Sequence, residues 1–262
     1  MADPDLVIRL RAAGCVYAEE EARVLCSAAS SSDQLEAMVA RRVAGEPLEY
    51  VVGWAEFDGL RVAVDPGVFV PRQRTSYLVE LAATALAEVG DPGLALDLCC
   101  GSGALGLALT TRRPGLRLHA VDSDPLAVAC AARNLANVGG VAHLGDLDAP
   151  LPVSLRGQVD VITANVPYVP SAVIALMPAE SRDHEPRDTV DGGPDGLVLL
   201  RRVATLAPAW LRPGGWVFSE VSAAQAGTAV AAFRSAGLAA QVHHDPERDA
   251  TVVSGRQSMP SS

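Results

Sequence analysis

The sequence predicts an α/β fold in which a mostly parallel sheet is preceded by a small helical region. Three observations support this prediction. From about residue 75 onward, apolar runs of strand length alternate with segments of helical periodicity. A glycine-rich turn, residues 101–106, follows the first apolar run, as is typical of the first strand-to-helix connection in a doubly wound sheet. Residues 4–44 show only short helical patterns.

The N-terminal helices are indicated by their periodicity and by the residues at their ends. In the third of them, Asp33 precedes the apolar pattern and Glu36 follows three residues later, which is a helix-start signature. Gly45 and Pro47 then end that helix. The three predicted helices cover residues 6–13, 19–29 and 35–44.

A β-hairpin is predicted to join the helical region to the sheet. Residues 50–57 and 60–64 have the composition of strands, and they flank the dipeptide of Asp58 and Gly59, a strong two-residue turn signal. The predicted organisation is therefore a helical N-terminal domain over 1–46, a hairpin linker over 47–74, a main domain over 75–255 and a disordered tail over 256–262.

The helices and strands of the main domain are predicted from segments of helical periodicity that alternate with apolar runs of strand length. The predicted helices cover residues 76–89, 125–137, 197–211 and 223–236, and a further helix follows the glycine turn and runs through Leu109. The predicted strands cover residues 94–98, 116–121, 159–164, 216–221, 239–243 and 250–254. Strands separated by helices imply parallel pairing with right-handed crossovers. The last two strands form a hairpin through Asp245 and Pro246 and add an antiparallel strand.

Composition limits the possible function classes. The 262 residues are 49 % hydrophobic and carry a formal charge of −10, which disfavours tight binding to nucleic acid. No basic leader and no apolar run of membrane-spanning length is seen, so we expect a cytoplasmic protein with no membrane partner. The five cysteines have no paired spacing and His243 and His244 face opposite ways on a strand, so we expect neither disulfides nor a metal site. The oligomeric state is not indicated.

The glycine turn is the candidate cofactor site. Its sequence matches G-x-G-x-x-G, and Asp122 ends the next strand, where an acidic residue can accept hydrogen bonds from a ribose. Asp97, at the end of the preceding strand, could bind an amino-acid ammonium group. Both a nicotinamide cofactor and S-adenosylmethionine are consistent with this pattern, and no general acid or base follows to favour hydride transfer. The predicted cofactor-binding residues are Asp97, Cys99, Gly101, Gly103, Asp122, Ser123, Asp146 and Asn165.

A tetrapeptide after the strand 159–164 indicates the chemistry of the acceptor. It consists of Asn165, Val166, Pro167 and Tyr168. An amide or exocyclic amine is a poor nucleophile, so it must be oriented while acceptors occupy its N–H bonds. The Asn165 side chain and the Val166 carbonyl can accept those hydrogen bonds, and the Tyr168 ring can pack against a planar group. We therefore predict these four residues as the catalytic acceptor site of a methyltransferase; a nucleobase amino group is an alternative acceptor.

Several sequence blocks in the same order resemble the HemK/PrmC family of protein-(glutamine-N5) methyltransferases. These blocks are residues 47–53, 69–72, 96–103, 165–168, 185–186 and 191–197. The resemblance implies a class I, seven-stranded, Rossmann-like methyltransferase domain that uses S-adenosylmethionine. It also implies that the acceptor is a glutamine side chain, in this family typically in the Gly-Gly-Gln loop of a peptide-chain release factor. Glu185 and Asp191 are expected to brace the long loop after the strand 159–164, and a solvated surface position is the alternative for Asp191.

The sequence departs from the family pattern at two positions near the expected acceptor site. The family usually has Asn-Pro-Pro-Tyr, and Val166 replaces the first proline. The family usually has Pro-Arg-Pro-Glu-Thr, and Arg74 replaces the glutamate. The backbone carbonyl of residue 166 is still present, so we expect activity to survive the first change. The second change reverses a charge beside the acceptor entrance and leaves open whether the acceptor is a release factor, another protein or a free amide.

Overall fold

The computed structural model describes residues 3–88 and 90–259. Its strands are β1 (Trp54–Phe57), β2 (Leu60–Ala63), β3 (Leu94–Leu98), β4 (Arg117–Asp122), β5 (Val141–Leu144), β6 (Val159–Ala164), β7 (Leu211–Glu220), β8 (Ala239–Asp245) and β9 (Ala250–Arg256). Its α-helices are α1 (Pro4–Ala12), α2 (Ala18–Ala28), α3 (Ser32–Val43), α4 (Leu48–Val52), α5 (Ser76–Ala87), α6 (Ala104–Arg112), α7 (Pro125–Leu135), α8 (Ala179–His184), α9 (Val198–Trp210) and α10 (Ala226–Ser235).

Seven strands form one mixed sheet in the order β5-β4-β3-β6-β7-β9-β8. The first five of these are parallel, while β9 is antiparallel to both β7 and β8. After β3 the chain first continues to β4 on one side and later returns to β6 on the other side. This reversal leaves a crevice at the carboxyl ends of β3, β4 and β6, where ligands bind in folds of this type.

Two hydrophobic clusters cover the two faces of the sheet. In the central pair, Leu96 lies beside Ile162 and Ala95 lies beside Val161. The first two side chains belong to the cluster under α9 and α10, and the other two belong to the cluster under α5 and α6. Strands covered on both faces are apolar throughout, which is why β3 and β6 appear in the sequence as continuous apolar runs.

Helices α1 to α4 have a separate hydrophobic cluster that includes Leu10 and Leu25. A buried ion pair joins two of these helices, with Arg42 Nε 2.6 Å from Glu21 Oε2 and Arg42 Nη2 3.1 Å from Glu21 Oε1. Two hydrogen bonds offset part of the cost of burying these charges. No helix in the described part of the chain is long and apolar enough to cross a membrane.

The structure corrects four boundaries of predicted elements. Residues 50–52 belong to α4 and not to a strand, because Gly53 adopts φ +81° and ends that helix. The N-cap of α3 is Ser31, which accepts from Gln34 N, and not Asp33. Strand β7 begins at Leu211, five residues before its predicted start. The predicted tail is ordered at its start, because β9 extends to Arg256.

Strand β5 was missed by the sequence analysis. It lies at the edge of the sheet, has only four residues and shows no alternation of buried and exposed positions, so it lacks the period-two signal of a strand. The hairpin turn is confirmed, because Asp58 and Gly59 both have positive φ, +51° and +75°. Val89, at the end of a predicted helix, and the tail residues 260–262 lie outside the described residues.

Candidate active site

A cavity of about 290 Å³ lies at the carboxyl ends of β3, β4 and β6. It is bordered by the glycine turn, by the loop after β4, by the start of the tetrapeptide 165–168 and by the segments 67–71 and 186–189. The predicted site residues that line it are Cys99, Gly101, Asp122, Ser123, Asn165 and Pro167. The cavity therefore joins the predicted cofactor site to the predicted acceptor site.

The glycine turn combines open backbone with close helix packing. Gly101 has φ +53°, and a Cβ there would meet only the Phe69 Cβ, at 3.9 Å. Gly103 has φ +76°, and a Cβ there would lie 3.1 Å from the Ala131 Cβ on α7. A Cβ at Gly106 would lie 2.6 Å from Leu118 Cδ2 on β4. Gly101 thus leaves backbone open toward the cavity, whereas Gly103 and Gly106 allow α6 to pack tightly.

Asp122 faces the cavity and also braces the glycine turn. Its Oδ2 accepts from Gly101 N at 2.8 Å, and its Oδ1 accepts from Asp124 N at 3.0 Å. Desolvation by burial raises the pKa of this carboxyl, against the effect of those backbone hydrogen bonds. Further lone pairs remain for a ligand, so the position suits the predicted contact with ribose hydroxyls.

Asp97 lies behind the cavity and not in its lining. Its side chain is only 1 % exposed. One carboxylate oxygen accepts from Gly106 N at 3.1 Å and the other from Thr163 Oγ1 at 2.9 Å. In this structure the carboxylate therefore ties α6 to the central strands. The predicted contact with an ammonium group stays a prediction that would require the side chain to turn.

Burial raises the pKa of Asp97 to about 7 from an ordinary 3.8, although the bonds from Thr163 and Gly106 lower it. Between about pH 4 and pH 7 the folded protein then holds a proton that the unfolded chain has released, so stability falls as pH rises through this window. We expect Asp97→Asn to lack that fall. One pKa unit corresponds to about 1.4 kcal/mol, so the stability difference between wild type and variant should change by at least about 1 kcal/mol. Urea unfolding of wild type and variant at intervals across this pH window measures the difference in stability. Parallel curves of unfolding free energy against pH would contradict the prediction.

Cys99 and Cys100, which precede the glycine turn, line the cavity, whereas Asp146 does not. Asp146 is exposed and its Oδ2 accepts from Arg202 Nη2 on α9 at 2.7 Å, so its predicted role in cofactor binding stays a prediction. Burial raises the pKa of the Cys99 and Cys100 thiols above its ordinary value. Both thiols thus stay protonated, which argues against a role as nucleophiles.

The tetrapeptide 165–168 divides into residues that face the cavity and residues that hold it in place. Asn165 and Pro167 line the cavity. The Asn165 side chain is half-buried, and no hydrogen bond joins it to the described residues. Val166 is 1 % exposed and packs in the cluster under α9, so an apolar side chain of moderate size is required there. Tyr168 lies outside the cavity lining and its hydroxyl donates to Glu220 Oε1 at 2.9 Å.

The charge reversal at Arg74 is neutralised within the protein. Arg74 Nε lies 2.9 Å from Glu220 Oε1, and Arg74 Nη2 donates to the Tyr168 hydroxyl. The sequence analysis did not identify Glu220, which ends β7 and is separated from Arg74 by 146 residues. The sequence shows Glu220 only as an acidic residue at the end of an apolar strand. That pattern does not distinguish a buried carboxylate from one that faces solvent.

The predicted bracing role of Glu185 and Asp191 is confirmed. The Glu185 carboxylate is buried and accepts from Arg72 Nη2 at 2.7 and 2.6 Å and from Val70 N at 3.3 Å. Asp191 Oδ1 accepts from Gly193 N at 3.0 Å and from the Ser171 hydroxyl. The Glu185 bonds join the start of the segment 186–189 to the segment 67–71, which both line the cavity, whereas the Asp191 bonds join parts of the long loop to one another. His243 and His244, where no metal site was expected, bond to hydroxyls of β9.

The order and directions of the seven strands, with the cavity at their reversal point, are those of a class I methyltransferase fold. A family model described as "Methyltransferase small domain" matches residues 59–178. A methyltransferase from Pyrococcus furiosus shares the fold, with a TM-score of 0.54 and 16 % identity over 77 % of this chain and 91 % of that chain. A ribosomal protein L11 methylase from Lactobacillus delbrueckii gives a TM-score of 0.51 at 16 % identity, over 71 % of this chain and 80 % of that chain.

Sequence comparison identifies the family within this class. A release factor glutamine methyltransferase from Geobacter sulfurreducens is 37 % identical over 222 residues, which are 84 % of this chain and 76 % of that protein. One from Streptomyces coelicolor is 40 % identical over 192 residues, 72 % of this chain and 68 % of that protein. The chain belongs to the release factor glutamine methyltransferase family. This membership confirms the resemblance and decides against the nicotinamide-dependent oxidoreductase.

Proposed function

We propose that the protein transfers a methyl group from S-adenosylmethionine to the side-chain amide nitrogen of a glutamine in a peptide-chain release factor. The Gly-Gly-Gln loop is the expected target. The observation that carries this proposal is the shared cavity, whose lining includes Asp122 and Gly101 together with Asn165 and Pro167. Family membership supports the choice of a glutamine over a nucleobase. The cytoplasmic location stays a prediction.

The residues of the cavity fit the proposed cofactor. The open backbone at Gly101 leaves room for close approach of a ligand. The carboxylates of Asp122 and Asp124 line the cavity and suit a molecule that carries positive charge. The volume, about 290 Å³, is near the lower end of the range of about 300 to 1,000 Å³ for small-molecule sites. When bound, S-adenosylmethionine supplies a methyl group activated by a positively charged sulfur.

The proposed role of the tetrapeptide 165–168 is to orient the acceptor amide. Asn165 Oδ1 would accept one N–H of the glutamine amide, and the Val166 carbonyl would accept the other. Pro167 holds residue 166 in an extended backbone, which aims that carbonyl. The hydrogen bonds strengthen as positive charge develops on the amide nitrogen, so they contribute more to the transition state than to substrate binding.

The proposed reaction needs no strong base. Bound S-adenosylmethionine would supply the methyl group and would leave as the neutral thioether, and the acceptor nitrogen would release its proton to water afterwards. Asn165 and the Val166 carbonyl would therefore need only to orient the amide. Cys99 and Cys100, the nearest thiols, are not required because their raised pKa keeps them protonated.

A methylation assay tests the proposal directly. Purified protein, labelled S-adenosylmethionine and a bacterial peptide-chain release factor are incubated, and the peptide with the Gly-Gly-Gln loop is analysed by mass spectrometry. We expect a gain of one methyl group on the glutamine side chain. A release factor with that glutamine replaced by alanine is the matched control and should stay unlabelled. Equal labelling of the control, or no labelling of either protein, would contradict the proposal.

A further inference from the structure

A polar cluster at the end of β7 holds the tyrosine of the tetrapeptide 165–168. Both oxygens of the Glu220 carboxylate are occupied. Oε1 accepts from the Tyr168 hydroxyl at 2.9 Å and from Arg74 Nε at 2.9 Å, and Oε2 accepts from Thr75 Oγ1 at 2.6 Å. Arg74 also donates to the Tyr168 hydroxyl. Three segments that are distant in the sequence therefore meet at one carboxylate.

The burial of this carboxylate is costly, and the cluster offsets the cost. Glu220 is 2 % exposed, and a buried carboxylate is tolerated only when it is paired and fully hydrogen-bonded. Arg74 supplies the positive charge, with its side chain 44 % exposed. Burial and the charge of Glu220 raise the pKa of Tyr168, so its hydroxyl stays protonated and remains a donor. Donors from Arg74, Thr75 and Tyr168 therefore satisfy the buried Glu220 carboxylate.

The backbone of the same tyrosine is held separately. Gln225 Nε2 donates to the Tyr168 carbonyl at 2.8 Å and to the Asp195 carbonyl at 3.0 Å. Gly196 passes so close that a Cβ there would lie 2.2 Å from the Tyr168 carbonyl oxygen. Tyr168 is thus anchored at its hydroxyl and at its carbonyl, while Asn165, three residues before it, faces the cavity.

We propose that Glu220 is a positioning residue for methyl transfer. Through the Tyr168 hydroxyl, and with Arg74 neutralising its charge, it sets the orientation of the tetrapeptide 165–168 toward the acceptor amide. The proposal rests on the proposed function, since it concerns the acceptor side of that reaction. The proposal also explains the charge reversal at Arg74, because this charge forms an internal ion pair with Glu220 and does not contact the acceptor.

The test is the Glu220→Gln variant assayed with a release factor. Glutamine keeps the shape and one acceptor oxygen but loses the charge that pairs with Arg74. We expect kcat to fall about fivefold to tenfold, as for the weakening of a charge-assisted hydrogen bond, while the Kd for S-adenosylmethionine changes less than twofold. Arg74→Gln, at a half-exposed position, should lower kcat by the same factor. This variant replaces Glu220→Gln in the test if Glu220→Gln fails to fold.

A double-mutant cycle separates positioning from general stability. Tyr168→Phe removes the hydroxyl, and if Glu220 acts through it, the double variant should lose no more kcat than the larger of the two single losses. The matched control is Asp160→Asn. Asp160 is a buried carboxylate at the opposite end of the sheet, which accepts from Leu94 N at 2.7 Å and pairs with Arg212. The control should lower Tm and leave kcat unchanged.

The outcomes distinguish this proposal from the proposed function. Absence of methylation by the wild-type protein would overturn the proposed function. Methylation by wild type, with unchanged kcat in Glu220→Gln and Arg74→Gln, would overturn only the positioning role. Additive losses in the double-mutant cycle would also overturn it, because Glu220 would then act independently of Tyr168.

Discussion

Replacing Asn165 with alanine should lower kcat for release factor methylation by about a hundredfold or more, as expected for loss of one preorganised polar partner of a transition state. The side chain lines the cavity and has no hydrogen bond to the described part of the chain, so the fold does not depend on it. Affinity for S-adenosylmethionine should change little. Single-turnover kinetics measures the chemical step, and calorimetry measures cofactor binding.

Two further variants make the Asn165 experiment specific. Asn165→Asp keeps an acceptor oxygen but adds a charge, and we expect activity between those of wild type and Asn165→Ala. Asn137→Ala is the control, because Asn137 is an exposed asparagine beyond the end of α7 that is remote from the cavity. A wild-type kcat in Asn165→Ala would mean that the tetrapeptide 165–168 is an ordinary turn and does not bind the acceptor amide.

Replacing Asp122 with alanine should weaken S-adenosylmethionine binding by a factor of about ten to a hundred. Hydrogen bonds to a charged group contribute about 1.5 to 3 kcal/mol each, and a tenfold change in affinity corresponds to about 1.4 kcal/mol. The variant also removes the acceptor of Gly101 N, which lies 2.8 Å from Asp122 Oδ2, so the glycine turn should loosen. Calorimetric titration of the folded variant gives the change in Kd.

Asp122→Asn is the matched variant for this prediction. It keeps the size of the side chain and one acceptor oxygen for Asp124 N, whose distance to Oδ1 is 3.0 Å, but it lacks the charge. We expect a smaller loss of affinity than in Asp122→Ala. Circular dichroism of both variants confirms that the sheet is intact. Wild-type affinity in Asp122→Ala would exclude the proposed contact with the ribose hydroxyls.

The acceptor side of the site shows how far sequence reasoning reached. The tetrapeptide 165–168 was predicted from the chemistry that an amide nucleophile requires, and the structure places Asn165 and Pro167 in the cavity wall, but not Val166 or Tyr168. Their support was not predicted. Glu220 and Gln225 contact Tyr168 from more than 50 residues away in the sequence, and no local pattern encodes such a contact. The sequence suggested that the charge of Arg74 acts on the acceptor, whereas the structure pairs it with Glu220. This pairing was not predicted because Glu220 is remote in the sequence.

The sequence by itself determined the alternation of strands and helices, the hairpin turn, the position of the glycine turn and the family. These depend on local periods, on backbone conformations that only certain residues adopt and on motif order. Only the tertiary structure decided where side chains at strand ends point. Asp97 and Asp122 both belong to such ends, yet the first is buried against Gly106 and Thr163 and the second faces the cavity. The packing of α6 against the sheet causes this difference, and packing depends on contacts between distant segments.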